Sequence, residues 1–260
     1  MSGLDLPVWT VVLLVLAAFA AGWVDAVVGG GGLIQLPALL LGLPASAAPA
    51  AVLGTNKLSS VCGTLTSSIT YAVKVRPDWR TVLPLVVAAA AGSAGGAELA
   101  KYLPKAYFNP IVLVALVVVG LYTWRRPSLG LVSARKHVGG GHYGRTGAIG
   151  LGVGAYDGFL GPGTGSFFVI LLVGVLGYGF LEASAKAKIA NLATNLSAIT
   201  VFALHGSLLW ALGLTMGAAN LLGGLIGARM AIRQGNAFIR RVFLAVVAAL
   251  ILKLAYDTFR

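Results

Sequence analysis

Asp25-Ala-Val-Val-Gly29-Gly30-Gly31 returns 132 positions later as Asp157-Gly-Phe-Leu-Gly161-Pro162-Gly163, and around it the first half of the chain is written again in the second. From Gly54-Thr-Asn-Lys57 to Trp79 the match is ungapped against Ala185-Lys-Ala-Lys188 to Trp210, at an offset of 131. Lys57 meets Lys188, Thr64 meets Asn195, Tyr71 meets Phe202 and Trp79 meets Trp210; further on Gly92 meets Gly223 and Gly96 meets Gly227. Solenoid repeats run to about 20–50 residues. A unit of this length is a bundle of several elements, so the chain is constrained to two similar bundles in one body.

Both copies are mostly hydrocarbon. Apolar residues make up 58% and charged residues 10% of the chain, with a mean hydropathy of +0.91. A soluble domain carries roughly 25% charged residues, so this chain lacks the means to cover a water-facing surface. The apolar runs are long and continuous, which excludes the alternating short strands of a membrane barrel. The expectation is an all-α polytopic membrane protein.

The net charge of +12 raises nucleic acid as a partner, but the basic residues lie between apolar spans, the pattern of membrane-protein loops. A single cysteine, Cys62, excludes an internal disulfide and a cysteine metal cluster. It reads as a small packing residue. His137 and His142 share a Gly-rich stretch read as a solvated loop, and with His205 they form no metal-ligand spacing. No cofactor is called for.

Ten apolar segments are expected, about five per half. They are Val8–Val28, Leu33–Leu53, Leu58–Val73, Thr81–Ala100 and Tyr107–Trp124, then Gly147–Leu160, Phe167–Phe180, Ile189–Leu204, Trp210–Met230 and Phe238–Tyr256. Val8–Val28 is too long for a signal h-region and follows Asp5 rather than basic residues, so it reads as a retained first helix. Leu33–Leu53 is broken by Pro37, Gly42, Pro44 and Pro49 and is not one straight helix. Gly147–Leu160 and Phe167–Phe180 fall short of the ~20 residues a span needs, and suggest a hairpin of half-penetrating helices.

Loop charge sets the orientation. Arg125, Arg126, Arg135, Lys136 and Arg145 place their loop in the cytoplasm. Counting outward puts 14 basic residues inside, Lys186 and Lys188 among them, and five outside, Lys57 among them. Each half then makes an odd number of crossings. The copies (residues 1–126 and 147–260, joined by a basic cytoplasmic linker, 127–146) are therefore inverted, with both termini outside. Inverted repeats of this kind build secondary transporters, whose Gly-broken helices meet near the bilayer midplane.

Three groups of residues could carry chemistry. Gly29, Gly30, Gly31 and Gly32 open a helix after a non-helical break, as do Gly161, Gly163, Thr164 and Gly165 in the second copy. Freed amides at a helix start favour an anion, and irregular backbone in a membrane must be satisfied by protein or a watery cavity. Gly92, Gly96, Gly223 and Gly227 read instead as close-packing seams. The second group is polar residues in apolar helices: Asn56, Lys57 and Thr64, with neighbouring Thr55, Ser59 and Ser60, answered by Lys188, Asn191 and Asn195. Asn191 and Asn195 share a helix face. Lys57 and Lys188 suit an anionic substrate or, lying near expected helix ends, snorkel to the interface. The third is Asp25 and Asp157, each four residues before a break. Each is either an intramembrane proton relay or gate, or a lock accepting hydrogen bonds from its own kink.

At these residues the chain resembles the sulfite exporter TauE/SafE family of membrane permeases. The resemblance lies in Gly22–Pro37, in Gly54-Thr-Asn-Lys-Leu with Gly63-Thr-Leu and Tyr71, in Asp78-Trp79, and in Asn191-Leu-Ala-Thr-Asn195. It spans essentially the whole chain. It implies outward carriage of a small anionic substrate, such as sulfite, sulfoacetate or a related organic acid, across the cytoplasmic membrane of a prokaryote. The expected partners are that anion and the lipid bilayer, and no nucleic acid. Neither a nucleophile–base pair nor a metal set is present for an intramembrane enzyme; a cation carrier using Asp25 and Asp157 stays open as an alternative.

Overall fold

In the computed structural model, residues 6–44, 46–100, 117, 121, 125, 130–134 and 139–259 are described. Among them are eight helices: α1 (Val8–Val28), α2 (Gly32–Gly42), α3 (Pro49–Val75), α4 (Trp79–Leu99), α5 (Gly139–Phe159), α6 (Thr164–Gly174), α7 (Phe180–Leu204) and α8 (Trp210–Phe259). No strand occurs among the described residues. The expected segment Tyr107–Trp124 and His137 lie mostly or wholly outside the described residues, as does most of the linker before Gly139.

Local sequence accounts for most of the boundaries. α1 ends where Gly29 turns left-handed, at φ 83°, a conformation that costs other residues a Cβ clash. α3 opens with Pro49 in its first turn, where a missing N–H is harmless. It stops before Arg76-Pro77, because a residue preceding proline is pushed out of the helical region. Asp78 caps α4, its carboxylate accepting from the Arg80 amide at 3.1 Å and the Thr81 hydroxyl at 3.0 Å. Trp79 and Trp210 begin helices and stay exposed, as membrane-interface anchors do.

Several boundaries depart from the sequence expectation. Leu33–Leu53 divides at Leu43–Ala48, so that Asn56 and Lys57 fall well inside α3 rather than in a loop. α5 is 21 residues long and begins at Gly139, within the stretch read as linker. Three consecutive glycines are poor helix formers in isolation; all three are exposed, and the packing of α5 begins at the buried His142 that follows them. α6 is short, as expected. α8 is broken at Gly235, where φ is 72° and ψ −164°, so the last two expected segments are its two separate helical arms.

α1, α4, α7 and Trp210–Ala249 of α8 are long and apolar enough to cross a membrane. α2 and α6, at 11 residues each, reach about 16 Å at 1.5 Å per residue, half of a ~30 Å hydrocarbon core. Exposed Val8, Val12, Leu13, Leu16, Leu83, Val87, Leu214 and Leu222 stud the long helices. Such a surface would aggregate in water but matches lipid. α6 is enclosed instead, with Phe167 through Ile170 all buried in the main apolar core.

Two glycine seams fix the bundle. On α4, Gly92 and Gly96 rest on the backbone at Leu151 and Ala155 of α5. On α8, Gly223 and Gly227 rest on Phe19 and Trp23 of α1. A methyl at any of the four would overlap main chain. These glycines are packing residues, as the sequence reading had it, and the partners in one seam are the repeat mates of the partners in the other.

Candidate functional site

The two glycine breaks touch. The Ser166 amide donates to the Gly29 carbonyl at 3.1 Å, and the Ser166 hydroxyl donates to the Val28 carbonyl at 2.8 Å. Bare glycine on both sides makes this approach feasible, since a Cβ on Gly29 would overlap the Gly165 backbone and the reverse also holds. Further main-chain oxygens near the breaks are capped by side chains. The Tyr71 hydroxyl donates to the Ala26 carbonyl at 3.1 Å, Tyr156 to Pro162 at 2.7 Å, and Thr164 to Gly161 at 2.7 Å. This irregular backbone is therefore satisfied by protein, as the hydrocarbon interior requires.

Beside the contact lies a small polar cavity lined by Asp25, Gly29, Gly32, Asn56, Lys57, Ser60, Asp157, Gly161, Gly163, Thr164, Gly165, Asn191 and Asn195. Its volume is about 20 Å³, room for roughly one water. The first residues of both short helices, Gly32 and Thr164, are on its wall, which puts two positive dipole ends there. A larger groove of about 660 Å³, between the start of α1 and the end of α2, is lined almost wholly by apolar side chains such as Trp9, Leu13 and Leu41. Its makeup suits lipid tails and offers nothing to orient a polar solute.

Two ion pairs cross between the halves here: Lys57, Asp157 and Asp25 line the cavity, while Lys188 is not on its wall and reaches it through Asp25. Lys57 lies 2.5 Å from Asp157, with both side chains at most 4% exposed. Lys188 donates to Asp25 at 2.9 Å, the lysine fully buried and the carboxylate 15% exposed. Each pair is the repeat image of the other. Lysines in mid-helix and this deeply buried do not snorkel to an interface, and neither Lys57 nor Lys188 belongs to a loop. Removing them and the buried Lys186 from the loop count leaves the direction of the charge bias unchanged. Nor do the carboxylates lock their own kinks, because each is turned to a lysine of the opposite half.

Most of the predicted residues converge here. Asn191 and Asn195 face the cavity from α7, as their spacing required, and Asn56 faces it from α3. Asn56 Oδ1 is buried there and lacks a hydrogen-bond partner. Thr64 lies beyond the cavity wall, where Asn195 Nδ2 donates to its hydroxyl at 3.3 Å. Gly30 and Gly31 sit behind the break, with Gly31 against Ala21 and Asp25, and do not line the space.

Ser60, read from the sequence only as a polar neighbour of Asn56 and Lys57, lines the cavity. One participant was missed. Gln35, fully buried on α2, donates to the Asn56 carbonyl at 3.2 Å and accepts from Asn220 at 2.8 Å. A lone amide in an apolar helix was the available signal. His142, read as a solvated loop residue, is buried in the first turn of α5, its Nε2 3.0 Å from the Thr81 hydroxyl and 3.1 Å from that of Tyr178.

Half-length helices opening onto a charged cavity inside an apolar bundle define the class: a polytopic membrane protein of the transporter type. The family model described as Sulfite exporter TauE/SafE matches residues 14–254. The chain belongs to that family. It is 36% identical over 254 residues to a "Probable membrane transporter protein ORF9" of Sinorhizobium sp, covering 97% of this chain and 95% of the relative. A "Probable membrane transporter protein" of Haemophilus influenzae is 33% identical, with 98% of each chain covered. The "Probable membrane transporter protein YfcA" of Escherichia coli K12 is 33% identical over 95% of this chain and 90% of its own length. No solved structure matches. The relatives carry transporter names, not enzyme names.

Proposed function

We propose that this protein is a secondary exporter of small sulfur-containing or organic anions, of the sulfite and sulfoacetate kind, in the cytoplasmic membrane of a bacterium. The observation that carries this reading is the crossed pair, Lys57 with Asp157 and Lys188 with Asp25, at a cavity where two helix N-termini also end. Two lysines, amide side chains of Asn56, Asn191 and Asn195, and two dipole ends are donors suited to an oxyanion. In this reading Gly29 to Gly32 and Gly161 to Gly165 let the solute approach main chain, and Asp25 and Asp157 hold the lysines between cycles. The export direction comes from the family description.

The mechanism we propose is alternating access by two inverted repeats of about five segments each. Support comes from contacts that recur in pairs, the glycine seams and the ion pairs alike, as exchange of conformation between halves requires. Transport of a cation by Asp25 and Asp157 is disfavoured, because a lysine already neutralises each carboxylate. Purified protein in liposomes should show saturable counterflow of radiolabelled sulfoacetate, reduced at least tenfold in Lys57→Ala. Saturable cation flux, lost only in Asp25→Asn, would refute the anion reading.

A further inference from the structure

We infer that each negative charge carried is matched by one proton, taken up by Asp25 or Asp157. This inference rests on the anion reading above and names the ion coupled to it; the proton gradient of a cell opposes exit by this route, so net export is driven by the anion's own concentration gradient. In the site as it stands two lysines and two aspartates cancel, largely buried within an apolar bundle. An arriving anion must take a lysine from its carboxylate. That leaves two negative groups sharing one cation in a medium of low dielectric, which strongly disfavours the charged state. Protonation of the displaced carboxylate restores neutrality: the anion pairs with the lysine, and the aspartic acid becomes a neutral hydrogen-bond donor. On release the lysine returns to the carboxylate and the proton leaves on the same side as the anion. Charge balances at each stage.

Among the described residues, no other group beside the aspartates can take this proton. The ionisable side chains facing the aspartates are Lys57 and Tyr71 from α3, Lys188 from α7, and Tyr156 within α5. The lysines are already charged partners, and both tyrosine hydroxyls donate to carbonyls. α2 and α6 contain no ionisable residue, and neither α4 nor α8 contributes a side chain to the cavity. The two carboxylates differ in access. Asp25 is 15% exposed and Asp157 2%, so the proton enters at Asp25 in the conformation seen.

Sulfoacetate tests this because its sulfonate stays ionised, so a proton moving with that charge has to ride on the protein. In liposomes with the membrane potential clamped, a pH gradient alone should drive sulfoacetate accumulation, with two protons counted by a trapped pH dye per dianion. A potential imposed without a pH gradient should drive none. In Asp25→Asn the count should fall to one, and the flux should become sensitive to potential. Counterflow that responds to potential and ignores pH would overturn proton coupling while leaving the anion reading intact. Absence of any saturable sulfoacetate counterflow would overturn both. Should Asp25→Asn not fold, the two wild-type gradients decide the matter on their own.

Discussion

Thr64 and Asn195, 131 positions apart and equivalent in the two copies, are hydrogen-bonded to each other: Asn195 Nδ2 donates to the threonine hydroxyl at 3.3 Å. A residue that touches its own repeat mate lies close to the axis relating the two halves, if the halves are related as proposed. The ion pairs then sit to either side of that axis, Lys57 reaching Asp157 and Lys188 reaching Asp25. Each proposed substrate-binding cation is thus held by a carboxylate of the other half.

Breaking one ion pair should destabilise the protein far more than removing both partners. Lys57→Met leaves the Asp157 carboxylate buried and unpaired, a loss of about 3–5 kcal/mol. Lys57→Met with Asp157→Leu should recover most of the thermal stability in detergent and none of the anion flux. If the double variant also regained transport, Lys57 would be structural only.

Replacing Gly29 by alanine should lower stability by more than about 2 kcal/mol, since a left-handed backbone and overlap with Gly165 act together. Gly95→Ala is the control. Its Cβ would meet nothing within 4 Å, on an exposed part of α4, and alanine there should add about 0.5–1 kcal/mol. Thermal midpoints of the two detergent-solubilised variants should move in opposite directions.

The bond between Thr64 and Asn195 should contribute modestly. Thr64 also donates to the Ser60 carbonyl at 3.0 Å, so losing Asn195 does not strand it. A double-mutant cycle with Thr64→Val and Asn195→Leu should give a coupling near the ~0.6 kcal/mol average for polar contacts inside membranes. A coupling of several kcal/mol would mean that the pair, not the glycine contact, holds the halves together.

Access to the cavity should be conditional. With the lone Cys62 changed to alanine, Ser60→Cys should react slowly with water-soluble thiol reagents, because about 20 Å³ admits none of them. Labelling should proceed through an opened conformation, be faster for an anionic than a cationic methanethiosulfonate, and be slowed by sulfoacetate. Rapid labelling indifferent to charge and substrate would indicate an open aqueous route instead.

Much of the fold was legible from residues that act locally. Gly29 and Gly163 adopt left-handed turns, Pro49 opens a helix, Asp78 caps one, and the short α6 was visible as an apolar run too brief to span. The spacing of Asn191 and Asn195 identified the cavity-facing side of α7 correctly. Boundaries failed at the exposed glycines that begin α5, just ahead of buried His142, and at the buried segment holding Asn56 and Lys57. His142 was misplaced too: a glycine-rich stretch gives no hint of a neighbouring helix that will bury it.

The sequence by itself determined that the chain is a helical membrane protein in two similar halves, and where its helices break. Hydropathy, glycine and proline act within a few residues, so their consequences can be read along the chain. Only the tertiary structure decided that Asp25 belongs to Lys188 and Asp157 to Lys57. Those partners are separated by 163 and 100 positions, and periodicity within a helix says nothing about which charge will face it from another. In a low-dielectric interior that pairing sets the energy of every charge present, and with it the chemistry the site can perform.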